Sequence, residues 1–209
     1  MTRTRLRAAA AAAASTGLLA ALAAAPAQAS LLSVDPTSCG DAPVTTPFDQ
    51  FGDGASYIPV PGGSFESTDD AWTLSGGAAI VDGNERFYAN DENDTSSLSL
   101  PPGSSATSPA MCTSIYRPTL RFFVRNQGSQ WSNLKVEALY RGPLGNVGLL
   151  QLGVITGSSW TPSVRMPILA SLLSTLPGAS TSVAFRFTPT GGNGAWSIDD
   201  VYVDPIGRR

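Results

Sequence analysis

Two adjacent carboxylates, Asp199 and Asp200, lie in the middle of the β-prone segment GAWSIDDVYVDP near the end of the chain. Apolar residues flank them on opposite faces of a period-two pattern: Trp196 and Ile198 before them, Val201 and Val203 after them. Either the strand bulges at the acids or one acid points inward. A bulge would turn one carboxylate toward the sheet edge, where it could bind a cation or accept hydrogen bonds from the backbone or an arginine.

A third acid, Glu66, directly follows Phe65 and precedes Trp72 by six residues. If both aromatic residues anchor in a core, Glu66 is held at the edge of the fold. Calcium binds six to eight oxygen atoms in irregular geometry, so a few acids in turns can serve it. The region 35–94 is rich in acids and has Arg86 as its only basic residue, which indicates either a solvated loop surface or one that attracts cations.

The composition excludes several kinds of chemistry. The chain has no histidine, which removes Ser-His-Asp and Cys-His catalysis and histidine-ligated metals. Its one lysine, Lys135, is expected to point outward from a strand, which disfavours Schiff-base chemistry. A pair of carboxylates could still hydrolyse glycosides, but nothing in the sequence places two acids across a cleft. An enzyme, a carboxylate-based glycoside hydrolase or lyase, is therefore the third hypothesis.

Two tryptophans lie in polar turns, Trp131 in GSQWSN and Trp160 in GSSWT. Flat aromatic rings stack on pyranose rings, so both are predicted carbohydrate-binding residues. The alternative is that each indole covers the edge of the core. Trp72 and Trp196 have apolar strand neighbours and are predicted to be core residues.

The first 29 residues have the pattern of a secretory signal peptide: Arg3, Arg5 and Arg7, then an alanine-rich apolar run, then Ala27-Gln28-Ala29. A retained membrane anchor is the alternative. We expect a secreted, extracellular, monomeric protein with no membrane attachment after cleavage. The acidic balance, 13 basic against 16 acidic residues, disfavours nucleic acid as a partner.

The two cysteines, Cys39 and Cys112, are predicted to form a disulfide because the protein is expected to be exported. A reactive or metal-binding thiol is the alternative. The bond would fix an extended arm, residues 30–55, to the main domain at 56–205.

Short β-prone runs separated by turn residues predict an antiparallel β-sandwich for that domain. Ten strands are predicted: 57–60, 71–74, 78–82, 97–100, 111–116, 118–126, 133–141, 147–155, 182–188 and 195–203. Alternation is clearest in 118–126, 133–141 and 182–188. Phe123 falls on the polar face of its strand, where it is either covered by a neighbour or part of a binding face. The segment PILASLLSTL, 167–176, could form one or two helical turns.

The Phe65-Glu66 and Trp196–Val201 motifs, with the ten strands between and around them, resemble the galactose-binding-like jelly rolls, which include many carbohydrate-binding modules. In several of those modules the first and last strands carry acids that meet at a structural calcium. The resemblance implies a jelly-roll fold, Glu66 and Asp200 as calcium ligands, and non-catalytic binding of a polysaccharide or other glycan. The chain as a whole also looks like uncharacterised secreted proteins of high-GC soil bacteria, a similarity that implies no activity. The competing hypothesis is a structural or adhesive cell-envelope protein that has the same fold and no sugar ligand.

Overall fold

The computed structural model describes residues 43–67, 72–113, 119–141, 147–169 and 181–204. Their regular structure is a short 3₁₀ turn, Asp49–Phe51, and thirteen strands. The strands are β1 Ile58–Pro59, β2 Thr73–Ser75, β3 Ala79–Asp82, β4 Ser96–Leu100, β5 Ser105–Thr107, β6 Met111–Thr113, β7 Thr119–Asn126, β8 Asn133–Arg141, β9 Val147–Ile155, β10 Thr161–Pro162, β11 Met166–Pro167, β12 Thr181–Thr190 and β13 Trp196–Asp204. None of the helical structure in these ranges is long and apolar enough to cross a membrane.

The strands form two antiparallel sheets. Sheet I has the order β10-β7-β13-β4-β3, with β1 also paired to β13 and β11 to β7. Sheet II has the order β2-β5-β12-β8-β9, with β6 paired to β12. The chain crosses repeatedly between the sheets, and its first described strand pairs with its last, Ile58 opposite Val203. The predicted jelly-roll β-sandwich is confirmed.

The main core lies between the sheets, where period-two alternation directs apolar side chains inward. Val136 and Ala138 of β8 and Phe185 and Phe187 of β12 are fully buried there. Trp196 is also fully buried in this core, and Trp72 lies at its edge with 8% exposure, as predicted for both.

A second apolar cluster covers the outer face of sheet I. It consists of Phe48, Tyr57, Phe123, Trp160 and Tyr202. The Phe48 ring comes from the segment before β1 and stacks on Phe123 with 5.2 Å between ring centroids. Phe123 is therefore covered, and the alternative that it lines a binding face is wrong.

An ionic network ties the same amino-terminal segment to sheet I. Asp53 is 6% exposed and pairs with Arg121 and Arg165. The Tyr57 hydroxyl donates to Asp53 Oδ2 at 2.6 Å. Burial would raise the pKa of Asp53, but hydrogen bonds from Arg165, Tyr57 and the Ala55 N–H and the charge of Arg121 lower it to about 2. The segment is thus held by both apolar and ionic contacts.

Several predictions concern residues outside the described ranges: the signal peptide at 1–29, Cys39 and most of the helical segment 167–176. Cys112 is buried in β6. Its pairing with Cys39 stays a prediction.

Candidate functional site

The carboxylates of β13 are positioned by a β-bulge. Asp199 lies opposite Phe123 and Tyr202 opposite Arg121, so three steps along β13 match two along β7. The extra residue is Asp200, which has a left-handed backbone with φ 49°. The bulge is confirmed. The apolar residues before and after it do not pack on opposite faces of the sheet, as the period-two pattern had indicated. Because one residue is inserted, four apolar side chains share the main core: Trp196, Ile198, Val201 and Val203.

The two carboxylates have different surroundings. Asp199 is fully buried and accepts the backbone N–H of Glu85 at 3.0 Å and that of Asp200 at 2.9 Å. Asp200 is 1% exposed, and neither of its oxygens has a hydrogen-bond partner. The Asn90 N–H approaches Asp200 closely enough to lower its pKa, but outside hydrogen-bond geometry. Asp200 is therefore a buried acceptor that nothing in the described chain satisfies.

Burial dominates the acidity of both groups. It raises the pKa of Asp199 to about 9, helped by the charge of Asp200. Burial also raises the pKa of Asp200 to about 8, helped by Glu85, Asp94 and Glu66. A carboxyl with such a pKa is neutral at pH 7 unless a cation replaces the proton.

The loop between β3 and β4, residues 83–95, places further acids beside the bulge. Glu85 is fully buried and accepts the backbone N–H groups of Phe87 and of Ala89, the latter at 2.6 Å. Between them Tyr88 has φ 50° and is 54% exposed. Asp94 is 8% exposed and accepts Asn90 Nδ2 at 2.8 Å. The sequence showed the acids of this region but could not show that the loop folds inward.

The predicted metal ligand Glu66 is already engaged by the start of β4. Its carboxylate accepts the N–H groups of Thr95 at 3.0 Å and Ser96 at 2.7 Å, and the Thr95 hydroxyl at 3.2 Å. The predicted anchors are in place, since Phe65 is 1% exposed and its ring contacts Trp72 with centroids 4.9 Å apart. Glu66 is near enough to raise the pKa of Asp200.

A cavity of about 240 Å³ opens onto Asp200. It is lined by residues 59–64, Asn90 and residues 200–202. Three non-glycine residues of the described chain have positive φ: Phe65, Tyr88 and Asp200. Asp200 lines the cavity, Phe65 directly follows the lining residue Ser64, and Tyr88 precedes the lining residue Asn90 by two positions. Such a backbone costs roughly 1–2 kcal/mol per residue, and strain of this kind concentrates at functional sites.

The fit of a metal to this cavity is partial. Asp200 offers a carboxylate without a hydrogen-bond partner, and residues 59–64 of the turn line the same cavity. However, no three His, Cys, Asp or Glu side chains of the described residues converge closely enough to hold an ion. An ion here would rely on backbone or water oxygens for most of its ligands, which calcium accepts.

Trp131 lies in the turn between β7 and β8, beside the turn that leads into β13. It is 74% exposed, the most exposed large apolar side chain in the described ranges. It lies in a turn closed by Ser132 N–H to Ser129 O at 2.9 Å, and its own N–H donates to Ser129 Oγ at 3.1 Å. A Cβ on Gly194 would lie 2.5 Å from Ser132 Cβ, so two turns pack closely here. The ring is thus displayed on a well-braced backbone.

Trp160 requires a correction, because it is 8% exposed and belongs to the aromatic cluster on sheet I. The guanidinium of Arg125 lies 5.0 Å from its ring centroid. The indole covers the core edge and does not offer a face to a sugar. Its burial depends on contacts with β7 and the amino-terminal segment, which its polar sequence neighbours do not reveal.

The outer face of sheet II carries a charged cluster. Glu137 is on the outward side of β8, like Lys135, but it is 4% exposed because two cations cover it. Lys135 Nζ lies 3.0 Å from its Oε1, while Arg186 Nε and Nη2 lie 3.0 and 2.9 Å from its Oε2. Adjacent strands supply these groups, so the face presents fixed hydrogen-bonding groups.

Comparison with known proteins gives structural likenesses only. No family model and no curated protein matches the sequence. Among solved structures, the family 22 module and catalytic module of a Clostridium thermocellum endo-1,4-beta-D-xylanase has 14% identity and a TM-score of 0.49, over 72% of this chain and 29% of that chain. The family 22 xylan-binding domain of Paenibacillus barcinonensis Xyn10C has 15% identity and a TM-score of 0.46, over 70% of this chain and 93% of that chain. The K2 adhesin domain of Lys-gingipain has 12% identity and a TM-score of 0.41, over 67% of this chain and 96% of that chain. These values support no inference about ligand or activity.

Proposed function

We propose that the chain is an exported, non-catalytic carbohydrate-binding module. The observation that carries the proposal is Trp131, a largely exposed indole held by two interlocked turns. An exposed ring in water costs hydrophobic free energy, and sugar recognition uses such a ring as a stacking plane. Because the backbone beneath is already fixed, little ordering entropy would be lost on binding.

The distribution of polar groups supports the same function. Aromatic residues cover the outer face of sheet I, whereas the outer face of sheet II carries Lys135, Glu137 and Arg186. Fixed donors and acceptors of this kind are suited to sugar hydroxyls. The described wall of the cavity favours binding over glycoside hydrolysis, since Asp200 is the only acid among its described lining residues and hydrolysis uses two facing carboxylates.

Calcium is proposed as a structural ion at Asp200, with Glu66 contributing from the segment between β1 and β2. Support comes from the unpartnered carboxylate, from the nearby acids and from the cavity that leads to it. The ion would replace the proton that burial otherwise forces onto Asp200. Its test is the calcium dependence of the melting temperature.

The binding test is a glycan array, followed by affinity electrophoresis, on the purified exported protein and on Trp131→Ala. We expect retention by at least one polysaccharide and a loss of binding of about tenfold or more in the variant. Tyr88→Ala, which removes another exposed aromatic ring, is the control and should keep the affinity. Unchanged melting temperature would show that Trp131→Ala folds normally.

Two results would overturn the proposal: no binding to plant, fungal or bacterial polysaccharides, or equal binding by Trp131→Ala. The first result would favour the structural or adhesive alternative. Export is tested separately by the mass of the secreted chain, which should begin after Ala29.

A further inference from the structure

The buried side-chain atoms without hydrogen-bond partners fall into two groups of opposite character. One group is the carboxylate of Asp200. The other comprises Nε of Arg125, Oγ of Ser197 and both amide atoms of Asn84. Leaving a buried polar atom without a partner is costly, so native proteins seldom leave several together. The second group is positively charged and rich in donors, which is the reverse of the Asp200 site.

The strand register brings this second group together. Arg125 of β7 lies directly opposite Ser197 of β13. Their neighbours Val124 and Ile198 belong to the main core, so Arg125 and Ser197 share the outer face of sheet I.

The loop that carries Asn84 crosses the same face. The residue before it, Gly83, accepts a hydrogen bond from Ser97, and the residue after it, Glu85, donates to Asp199. Asp199 is the next outward residue along β13 from Ser197. Asn84 therefore lies in a loop whose adjacent residues are bonded to β4 and to the Asp199 side chain of β13.

Arg125 differs from the arginines of the fold that form ion pairs. Arg121 and Arg165 pair with Asp53, and Arg186 pairs with Glu137. Within the described residues Arg125 has no acidic partner, and its guanidinium lies over the Trp160 ring. That ring holds the guanidinium by a cation–π contact but accepts no conventional hydrogen bond from Nε.

We propose that Arg125, Ser197 and Asn84 form a binding site for a carboxylate group. A guanidinium presents a planar set of donors that fits the two oxygens of a carboxylate. Because the guanidinium is positive and the carboxylate negative, binding of a carboxylate is favoured over binding of water. The hydroxyl and the amide supply neutral donors beside it. The carboxylate could belong to a uronic acid residue of a glycan or to a simple carboxylic acid. The site is separate from Trp131 and does not depend on the proposed function.

The test is a titration of the ¹⁵N-labelled exported protein, followed through the Arg125 Nε–H signal by NMR at constant ionic strength. Sodium glucuronate, sodium acetate and glucose are the three probes. We expect a saturable shift with glucuronate and none with glucose. A matching shift with acetate identifies a simple carboxylate as sufficient, whereas its absence identifies the uronic acid as the ligand.

Variants show whether the response comes from this site. Arg125→Gln should weaken binding by about tenfold or more, since it removes a charge-assisted pair. Arg86→Gln is the matched control, because Arg86 also lies over an aromatic ring, 5.1 Å from the centroid of Phe87, and has no ion pair in the described residues. If Arg125→Gln does not fold, Asn84→Ala and Ser197→Ala, followed through Arg125 itself, should each weaken the response.

The proposal is overturned if no probe gives a saturable shift, if glucose shifts the signal as strongly as glucuronate, or if Arg86→Gln weakens binding as much as Arg125→Gln. Trp131→Ala should leave the carboxylate response intact. A failure of the carbohydrate-binding proposal is therefore distinguishable from a failure of this one.

Discussion

The backbone N–H of Glu85 donates to the buried carboxylate of Asp199 at 3.0 Å, joining residues 114 positions apart in the chain. The other oxygen of Asp199 accepts the N–H of Asp200. One carboxylate therefore fixes both the loop that follows β3 and the bulge in β13. The two adjacent acids differ in their contacts: Asp199 accepts two backbone hydrogen bonds, whereas the Asp200 carboxylate has no hydrogen-bond partner in the described residues.

Asp199→Ala should destabilise the fold by about 2–4 kcal/mol, because two buried backbone donors lose their acceptor. Asp199→Asn keeps an acceptor oxygen and should cost less. Denaturant unfolding followed by tryptophan fluorescence measures both. Asp82→Ala, at an exposed position on β3, is the control and should stay within about 0.5 kcal/mol of the parent. Equal stability of the two alanine variants would contradict the organising role of Asp199.

Calcium should raise the melting temperature, and chelator should lower it, because the ion compensates the buried Asp200 carboxylate. Glu66→Ala and Asp200→Ala should each abolish the difference. The measurement is a thermal scan of each protein in calcium and in chelator. Asp91→Ala, which removes an exposed acid of the same loop, should keep the parental response. Identical melting curves of the parent in the two buffers would refute the calcium site.

The Asp53 network should contribute to acid sensitivity. Its folded pKa of about 2 lies below the ordinary 3.8, so folding favours the charged form. The stabilisation is fully present above about pH 4 and is lost as the pH falls toward 2. The difference in unfolding free energy between the parent and Asp53→Asn should shrink over that interval. A constant difference for Asp53→Asn would argue against a charged, paired Asp53.

Gly63→Ala tests the wall of the cavity. A Cβ there would lie 2.9 Å from the carbonyl oxygens of both Val60 and Val201, so the turn would have to move away from the bulge. We expect a loss of about 1–3 kcal/mol and a weaker calcium response. Gly54→Ala meets only an ordinary contact with Asp49 and is the control. Retention of full stability by Gly63→Ala would mean that the turn is freer than its contacts indicate.

Local patterns were enough to predict most of the sandwich. Each of the ten predicted strands overlaps an observed one, because alternation and turn residues are encoded locally. Three strands were missed: Ser105–Thr107, Thr161–Pro162 and Met166–Pro167. They have only two or three residues each, and two contain proline, so no period can be recognised in them.

The sites were harder to predict, since burial is decided by distant segments. Trp160 and Phe123 look exposed from their neighbours, yet the amino-terminal segment covers both. Glu85 lies in a polar loop, but its carboxylate is needed inside to satisfy backbone donors. The bulge was detectable because Asp199 and Asp200 interrupt a regular alternation. Which acid would be left without a partner depended on the loop, which the sequence does not place.

The inserted residue in β13 also sets how this strand will tolerate mutation. Before Asp200 the even-numbered positions, Trp196 and Ile198, face the core; after it the odd-numbered positions, Val201 and Val203, do so. A saturation scan along the strand should therefore find the positions that require a side chain of the main core at even numbers before Asp200 and at odd numbers after it, while Tyr202 keeps its separate requirement for an aromatic ring in the outer cluster. Deleting that residue would exchange the two faces of everything that follows it, so the length of this strand is under as strict a constraint as its composition.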